Sequence, residues 1–427
     1  MTVSRRSFFK AASAAPLASV GFSGQPAVGR HDSEFDPWIE VYPANLRHNV
    51  AEVSRRVGGR PILAVIKNNG YGLGLVNVAR AMDTLPQVAG FAVVKADEAH
   101  TLRDAGITRP VMFMGPFSEK DLEEAAARDI RPMIYTPAGP ALDRIALRLQ
   151  RRIPIHICVD TGIGRVGVPY RQAASLVRDL AGRKSAQIEG MMMTFTEDPQ
   201  FDPEQLRRFQ ALCSELEASG IPIGRKHAAS SFALFQHPDA FLDMVRPGMA
   251  LFGIYPDKQF RGSGIMDLRP ALALKARVIY VKRLSRGESA GYERAYVAAN
   301  DIWVATLPIG HADGYPRTAA KGGRVKIGST FYPVIATVSA SHTIVAIGPE
   351  PRVREGEVAT LFDAEPDSRP EDLSAATGTS VYDLTMHLGA LLPRKVIQVP
   401  QHGQRWPTIK PCTTAFSAPG HGSSAAI

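Results

Sequence analysis

A chain of 427 residues, 45% of them hydrophobic by a broad count, is long enough for two domains with sizeable cores. Its three cysteines, Cys158, Cys213 and Cys412, are too few and too scattered for a disulfide framework, and no C-x-x-C or H-E-x-x-H run offers a metal site. The net charge of +9 is spread out without a long basic block, which reads as solvated surface and predicts no nucleic-acid partner.

Residues 1–30 stand apart. Ser4-Arg5-Arg6-Ser7-Phe8-Phe9-Lys10 precedes a weakly apolar, Ala-rich run over 11–22. The pattern is that of a twin-arginine signal peptide and predicts a periplasmic or otherwise exported protein. The ordinary alternative is two chance arginines before an Ala-rich helix; the flanking serine and Phe-Phe-Lys argue against it. The apolar run is too short to span a bilayer, so no stable membrane anchor is expected.

Residues 38–42 alternate as a short strand, and 45–57 follow as a helix that opens at Pro43-Ala44. Residues 62–66 then form an apolar run that delivers Lys67 into a turn, Asn68-Asn69-Gly70-Tyr71-Gly72-Leu73-Gly74, ahead of a helical segment over 75–82. This is a buried parallel strand, a turn and a helix. A lysine there sits where barrel enzymes keep their chemistry, and near apolar walls its amine loses charge easily, as covalent catalysis requires. Taken alone, such a lysine more often snorkels to solvent. The glycines miss the G-x-G-x-x-G dinucleotide pattern, because residue 75 is leucine.

Further apolar runs at 90–94, 111–114, 132–135, 155–159, 188–193, 226–229 and 244–246 alternate with amphipathic segments at 96–105, 119–128, 142–151, 171–182 and 203–219. Eight strand candidates in this rhythm predict an α/β fold, a (β/α)8 TIM-type barrel over 36–265. Periodicity alone also permits an open doubly wound sheet, and the runs at 226 and 244 carry the weakest signal. After residue 265 the texture changes. Short β-rich runs at 272–285, 302–307, 323–327, 330–338, 343–347 and 357–361 predict a C-terminal mostly-β domain over 266–400, which the 36–43 strand could join. Helical pieces at 373–376, 381–388 and 390–392 and a strand at 395–399 close it. The Gly-, Ser-, Pro- and Thr-rich tail over 401–427 is expected to be disordered.

Four more segments stand beside the lysine turn. They are Asp160-Thr161-Gly162-Ile163-Gly164-Arg165-Val166-Gly167, His227-Ala228-Ala229-Ser230-Ser231, Val245-Arg246-Pro247-Gly248-Met249-Ala250-Leu251-Phe252-Gly253, and the pair Ala290-Gly291-Tyr292 with Pro308-Ile309-Gly310-His311-Ala312-Asp313-Gly314-Tyr315-Pro316-Arg317. Singly, each has an ordinary structural explanation: a strand-end arginine, a satisfied core histidine, a tyrosine in a turn. Together with the lysine turn they resemble the alanine racemase family of fold-type III pyridoxal-phosphate enzymes, over roughly residues 36–400.

The resemblance implies pyridoxal 5'-phosphate attached at Lys67. Arg165 would reach its phenolic oxygen, and Arg246, supported by His227, its ring nitrogen. Ser231, Tyr71, Tyr382 and the backbone N–H groups of Gly248 and Met249 would hold the phosphate. It implies an amino-acid racemase of two opposed acid–base groups, Lys67 on the D-face and Tyr292 on the L-face, with Arg246 the positive charge that lets Tyr292 act as a base. It also implies a small amino-acid substrate and a head-to-tail homodimer in which Tyr292 serves the partner's site. Three departures stand out. Cys158 replaces a carbamylated lysine that orients the arginine, leaving chloride or Asp160 to hold Arg165. Thr194 replaces a histidine against the cofactor ring. Ser339-Ala340-Ser341-His342 replaces a C-M-D-Q run, with the Ala340 N–H left to meet the substrate carboxylate. Both Thr194 and Ala340 are smaller than the family residues, which predicts room for side chains larger than alanine's. Two rivals remain open: a pyridoxal-phosphate binder of this fold with little or no turnover, and a decarboxylase, whose β-domain C-x-x-x-D element is not found here.

Overall fold

The computed structural model describes residues 34–398. The predicted signal peptide and the C-terminal tail lie outside the described residues. No helix among the described residues is long and apolar enough to cross a membrane.

The apolar runs become a parallel sheet in the order Ile62–Val65, Val88–Val93, Val111–Phe113, Ile130–Ile134, Ile153–Asp160, Ala186–Met192 and Arg225–His227. Ile62–Val65, Val111–Phe113 and Ile153–Asp160 are buried on both faces, which is why they read as near-continuous apolar runs. The weak run near residue 244 closes the ring. Leu63 N–H donates to Val245 O and Val65 N–H to Pro247 O, each at 2.9 Å, while Arg246 N–H donates to Ala229 O at 2.8 Å. A single parallel bridge, Ile62 to Val245, is all the ladder there. Pro247 has no N–H to continue it. The closure decides for a barrel and against an open sheet. Helices such as Gly139–Leu149 flank it, burying Leu142 and Ile145 while Arg144 and Arg148 pair outward with Glu119 and Glu123.

The β domain is a nine-stranded sheet. Trp38–Val41 lies within it, antiparallel to Leu272–Arg277 and parallel to Arg394–Val396, so both ends of the described chain build this domain. The predicted strand over 272–285 breaks in two. Val278 N–H turns to Glu357 O and Ile279 N–H to Thr306 O, each at 2.9 Å, so Leu272–Arg277 and Tyr280–Leu284 join different neighbours. The strand expected over 330–338 stops at Ile335, because Ala336 takes φ = 59°. Residues 390–392 form no helix.

The two domains are tied at the lysine turn. Gly72 O accepts Arg394 Nε at 3.0 Å and Nη2 at 2.9 Å, and Asn68 Nδ2 lies 3.2 Å from Met386 Sδ.

Candidate active site

Lys67 follows the Ile62–Val65 strand and opens a left-handed turn. Asn68, Asn69, Gly70, Tyr71 and Gly72 have φ of 55°, 56°, 61°, 51° and 85°. Asparagine and glycine tolerate this region, whereas for Tyr71 it costs roughly 1–2 kcal/mol. The turn is over-determined: Gly70 N–H donates to Ile66 O, Gly72 N–H to Asn68 O, Gly74 N–H to Asn69 O and Asn69 N–H to Glu98 Oε1, all within 2.7–3.1 Å. A Cβ on Gly72 would overlap Thr385 O, so the turn also needs glycine to meet the β domain. The strain places Tyr71 inside, its ring stacked on Phe252 with centroids 4.5 Å apart. The Lys67 amine is half-buried. Desolvation first, then the Arg165 charge, hold its pKa below the usual lysine range, with Glu98 opposing.

Arg246 is buried and meets no carboxylate among the described residues. Its guanidinium donates to Met193 O at 2.7 Å, to His227 Nδ1 at 3.0 Å and to His227 O. Burial lowers its pKa to about 10, so it stays charged at neutral pH. Because His227 Nδ1 accepts, its proton sits on Nε2, which points to His156 Nδ1 at 3.0 Å. Both rings are held neutral: burial pushes His227 well below the usual range and His156 to about 3. His156 was missed in the sequence. The available signals were a lone polar residue in the run 153–159 and its place on the same strand face as Cys158. A Cβ on Gly190, its partner in the sheet, would come 2.7 Å from His156 Nδ1.

Ser231, also buried, accepts from Gly248 N–H at 3.0 Å and Ala250 N–H at 3.1 Å. The Gly248 N–H is thus already committed. Met249 N–H starts the 3-10 turn Met249–Phe252 and has no preceding turn to bond to. A side chain at 248 would overlap the Tyr71 hydroxyl, so glycine is what lets that hydroxyl sit beside the Met249 turn. Tyr382 interacts electrostatically with Tyr71, and burial first, then Glu197, push its pKa up to about 12. A reactive amine, a buried arginine without a counter-ion, and hydroxyls around an open N–H form a donor set that fits pyridoxal phosphate.

Arg165 is exposed and makes no hydrogen bond or ion pair among the described residues. Asp160 does not hold it. The Asp160 carboxylate accepts from Gly162 N–H at 2.8 Å and from Gly164 N–H at 3.1 Å, folding its own loop. Cys158 is buried with its Sγ 3.7 Å from Val166 O, and burial pushes its pKa up to about 11, so it supplies no anion. Thr194 is half-buried, its carbonyl accepting from Gln205 Nε2 at 3.2 Å.

The remaining predicted residues are not brought to Lys67. Tyr292 is 72% exposed, in the loop joining the short strands Ser289–Ala290 and Tyr296–Val297. Ala340 is exposed too; its carbonyl accepts from Ala312 N–H at 3.0 Å. No described residue bonds either of them to the lysine turn.

Comparison with known proteins bears on this arrangement. Residues 41–256 match the family description "Alanine racemase, N-terminal domain" and residues 271–396 match "Alanine racemase, C-terminal domain". An alanine racemase of Carboxydothermus hydrogenoformans is 32% identical over 364 residues, which span 84% of this chain and 98% of that one. The solved alanine racemase from D-cycloserine-producing Streptomyces lavendulae is similar at a TM-score of 0.80 and 28% identity, covering 87% of this chain and 99% of that one. A histidine racemase from Leuconostoc mesenteroides subsp. sake is similar at a TM-score of 0.73 and 26% identity, over 85% and 98%.

Proposed function

The chain belongs to the alanine racemase family, and from that premise we propose that it racemises amino acids at a site built on Lys67 and Tyr292. It is accordingly an isomerase of the pyridoxal-phosphate-dependent racemase class. The observation that carries the reading is a half-buried Lys67 amine and a buried Arg246 without an ion pair among the described residues, on neighbouring segments of a closed barrel and both within electrostatic range of Arg165.

Bound pyridoxal phosphate supplies an electron sink that acidifies the substrate α-proton. The chain's own residues do the rest. Lys67 would hold the cofactor and would carry the proton on one face. Its lowered pKa leaves a larger share of the amine neutral and basic near physiological pH. Arg246, its pKa near 10, stays charged at neutral pH and would donate to the ring nitrogen without protonating it. Neutral His227 and His156 fix its direction. Met249 N–H, Ser231, Tyr71 and Tyr382 take the phosphate, with the Gly248 N–H orienting Ser231. Arg165 would take the phenolic oxygen and the substrate carboxylate, with the Ala340 N–H meeting that carboxylate. Tyr292 carries the proton on the other face. Its exposure in one chain supports its service to a second copy, in a head-to-tail dimer. The run Arg5-Arg6 with its flanks supports an exported, periplasmic location.

The small residues Thr194 and Ala340 support a substrate range wider than alanine, and a histidine racemase among the similar structures agrees with such breadth. The test is α-proton exchange in heavy water with a panel of L-amino acids, alongside the cofactor's absorbance in wild type and Lys67→Ala. Exchange that disappears together with the Lys67-dependent absorbance is expected. No exchange with any common amino acid defeats the racemase reading, and absorbance without exchange leaves a binder.

A further inference from the structure

Neither Cys158 nor Asp160 holds the Arg165 guanidinium, so its place follows from the loop that carries it. That loop is closed at its base, where Val168–Pro169 pairs in parallel with Val159 and Asp160. Inside, the Asp160 carboxylate ties the Gly162 and Gly164 N–H groups. A loop closed in this way shifts as a body, and what grips it from outside decides where Arg165 stands.

The grip comes from the start of the helix Asp202–Ala218. Gln205, fully buried in its first turn, donates from Nε2 to Thr161 Oγ1 and to Thr194 O, each at 3.2 Å. Its Oε1 accepts Thr196 N–H at 2.8 Å. The amide has one orientation, because reversing it would leave Thr196 N–H without an acceptor and Thr194 O without a donor. Thr161 is fully buried as well, and its carbonyl accepts Arg208 Nη1 at 2.9 Å. A Cβ on Gly162 would come 2.6 Å from the Phe201 ring, so the loop lies directly against the helix start.

Gln205 thereby joins the loops that leave two neighbouring strands, Ile153–Asp160 and Ala186–Met192. The pairing of those strands ends at Cys158 with Met192. Beyond that point the buried amide is the bridge: one loop carries Arg165 and the other Thr194. A buried polar bridge with its bonds made is rigid and costly to break.

We infer that Gln205 is a positioning residue for Arg165, setting through the Thr161 hydroxyl where the guanidinium meets the substrate carboxylate. The inference rests on the racemase reading above, in which Arg165 takes that carboxylate. A misplacement of roughly 1 Å at such a group can cost on the order of 10²-fold. The Arg208 bond to Thr161 O remains when the Gln205 bond is cut, so a smaller loss is expected from that cut alone.

Thr161→Val keeps the side chain's shape and removes the hydroxyl, cutting only the branch to Arg165. Thr161→Ser keeps the hydroxyl, and Gln205→Met cuts both branches. With the full chain loaded with pyridoxal phosphate, racemisation of L-alanine gives kcat and KM. Calorimetry gives the affinities for L-alanine and for L-alaninamide, which lacks the carboxylate. In Thr161→Val, KM for L-alanine should rise about fivefold or more while kcat stays within about twofold and the affinity for L-alaninamide is kept. Gln205→Met should show at least that rise, and Thr161→Ser should restore the wild-type KM. If Gln205→Met does not fold, the two Thr161 variants decide. Equal weakening of both ligands would show a loosened fold and overturn the inference. So would a wild-type KM in Thr161→Val, or a Thr161→Ser variant as impaired as Thr161→Val. Absence of turnover with every amino acid in the wild type defeats the racemase reading alone, and the ratio of L-alanine to L-alaninamide affinity in wild type and Thr161→Val then still decides Gln205.

Discussion

The floor and the rim of this barrel mouth are built by opposite means. On the floor, Lys67, Tyr71, Arg246, His227 and His156 are buried or half-buried, and the last three are tied into one hydrogen-bonded chain. On the rim, Arg165 is exposed and its side chain makes no bond to the floor, while Tyr292 and Ala340, which the proposed scheme adds to the site, are exposed in the β domain. A cofactor stays through every turnover, so its cradle gains from being preorganised. A substrate enters and leaves, and the groups that meet it stay open until it, or a second copy of the chain, completes them.

If that division holds, single changes should separate the two parts. Lys67→Ala strikes both, because in the proposed scheme one amine serves as anchor and base. Racemisation should fall by on the order of 10⁴-fold, with loss of the cofactor's absorbance near the visible edge. Tyr292→Phe should strike the rim alone. A loss of about 10²–10³-fold in turnover with the absorbance spectrum unchanged is expected. If the spectrum changed as much as in Lys67→Ala, the floor would depend on the rim and the division would be wrong. The same variant sharpens the role of the second copy, because wild-type activity should decline on dilution while cofactor absorbance does not.

The floor itself rests on the meeting of barrel and β domain. Gly72→Ala introduces a Cβ that overlaps Thr385 O at a residue with φ = 85°. Thermal or urea unfolding should show a loss of at least about 2 kcal/mol, with weaker cofactor retention. A variant as stable as wild type would mean that the turn and the β domain can separate freely.

How legible each part was in the sequence follows from its physics. Strands buried on both faces announce themselves, so the runs from 62 to 193 were readable. The closing segment around Val245 was faint because a few hydrogen bonds and Pro247 leave little pattern. The glycine spacing after Lys67 marked a turn, but only the structure shows that Tyr71 shares its left-handed backbone. The isolated motifs around Arg165 and Arg246 identified charged groups without their partners. Asp160 was a reasonable counter-ion by proximity in sequence; its two loop N–H bonds exclude it.

His156 offers the smallest and most selective probe of the floor. Its pKa of about 3 lies below the ordinary histidine range, because burial first, then Arg131 and Arg246, disfavour the charged ring. In the unfolded chain the ring takes up a proton as pH falls through about 6.5, whereas in the fold it waits until about 3. The unfolded state therefore binds more protons across that window. The stability contributed by neutral His156 is complete above about pH 6.5 and is lost as pH falls towards 3. His156→Gln removes the titration while leaving an amide oxygen able to accept from His227 Nε2–H. Urea midpoints between pH 7 and pH 4 should then fall less steeply than in wild type, by up to roughly 1.4 kcal/mol per pH unit. His227, also held neutral, keeps part of the slope. Turnover near pH 7 should change little, since both residues present an acceptor to the same N–H. An acid-stability slope identical to wild type would mean that His156 is protonated in the folded chain, and the tautomer chain from Arg246 through His227 would have to be redrawn.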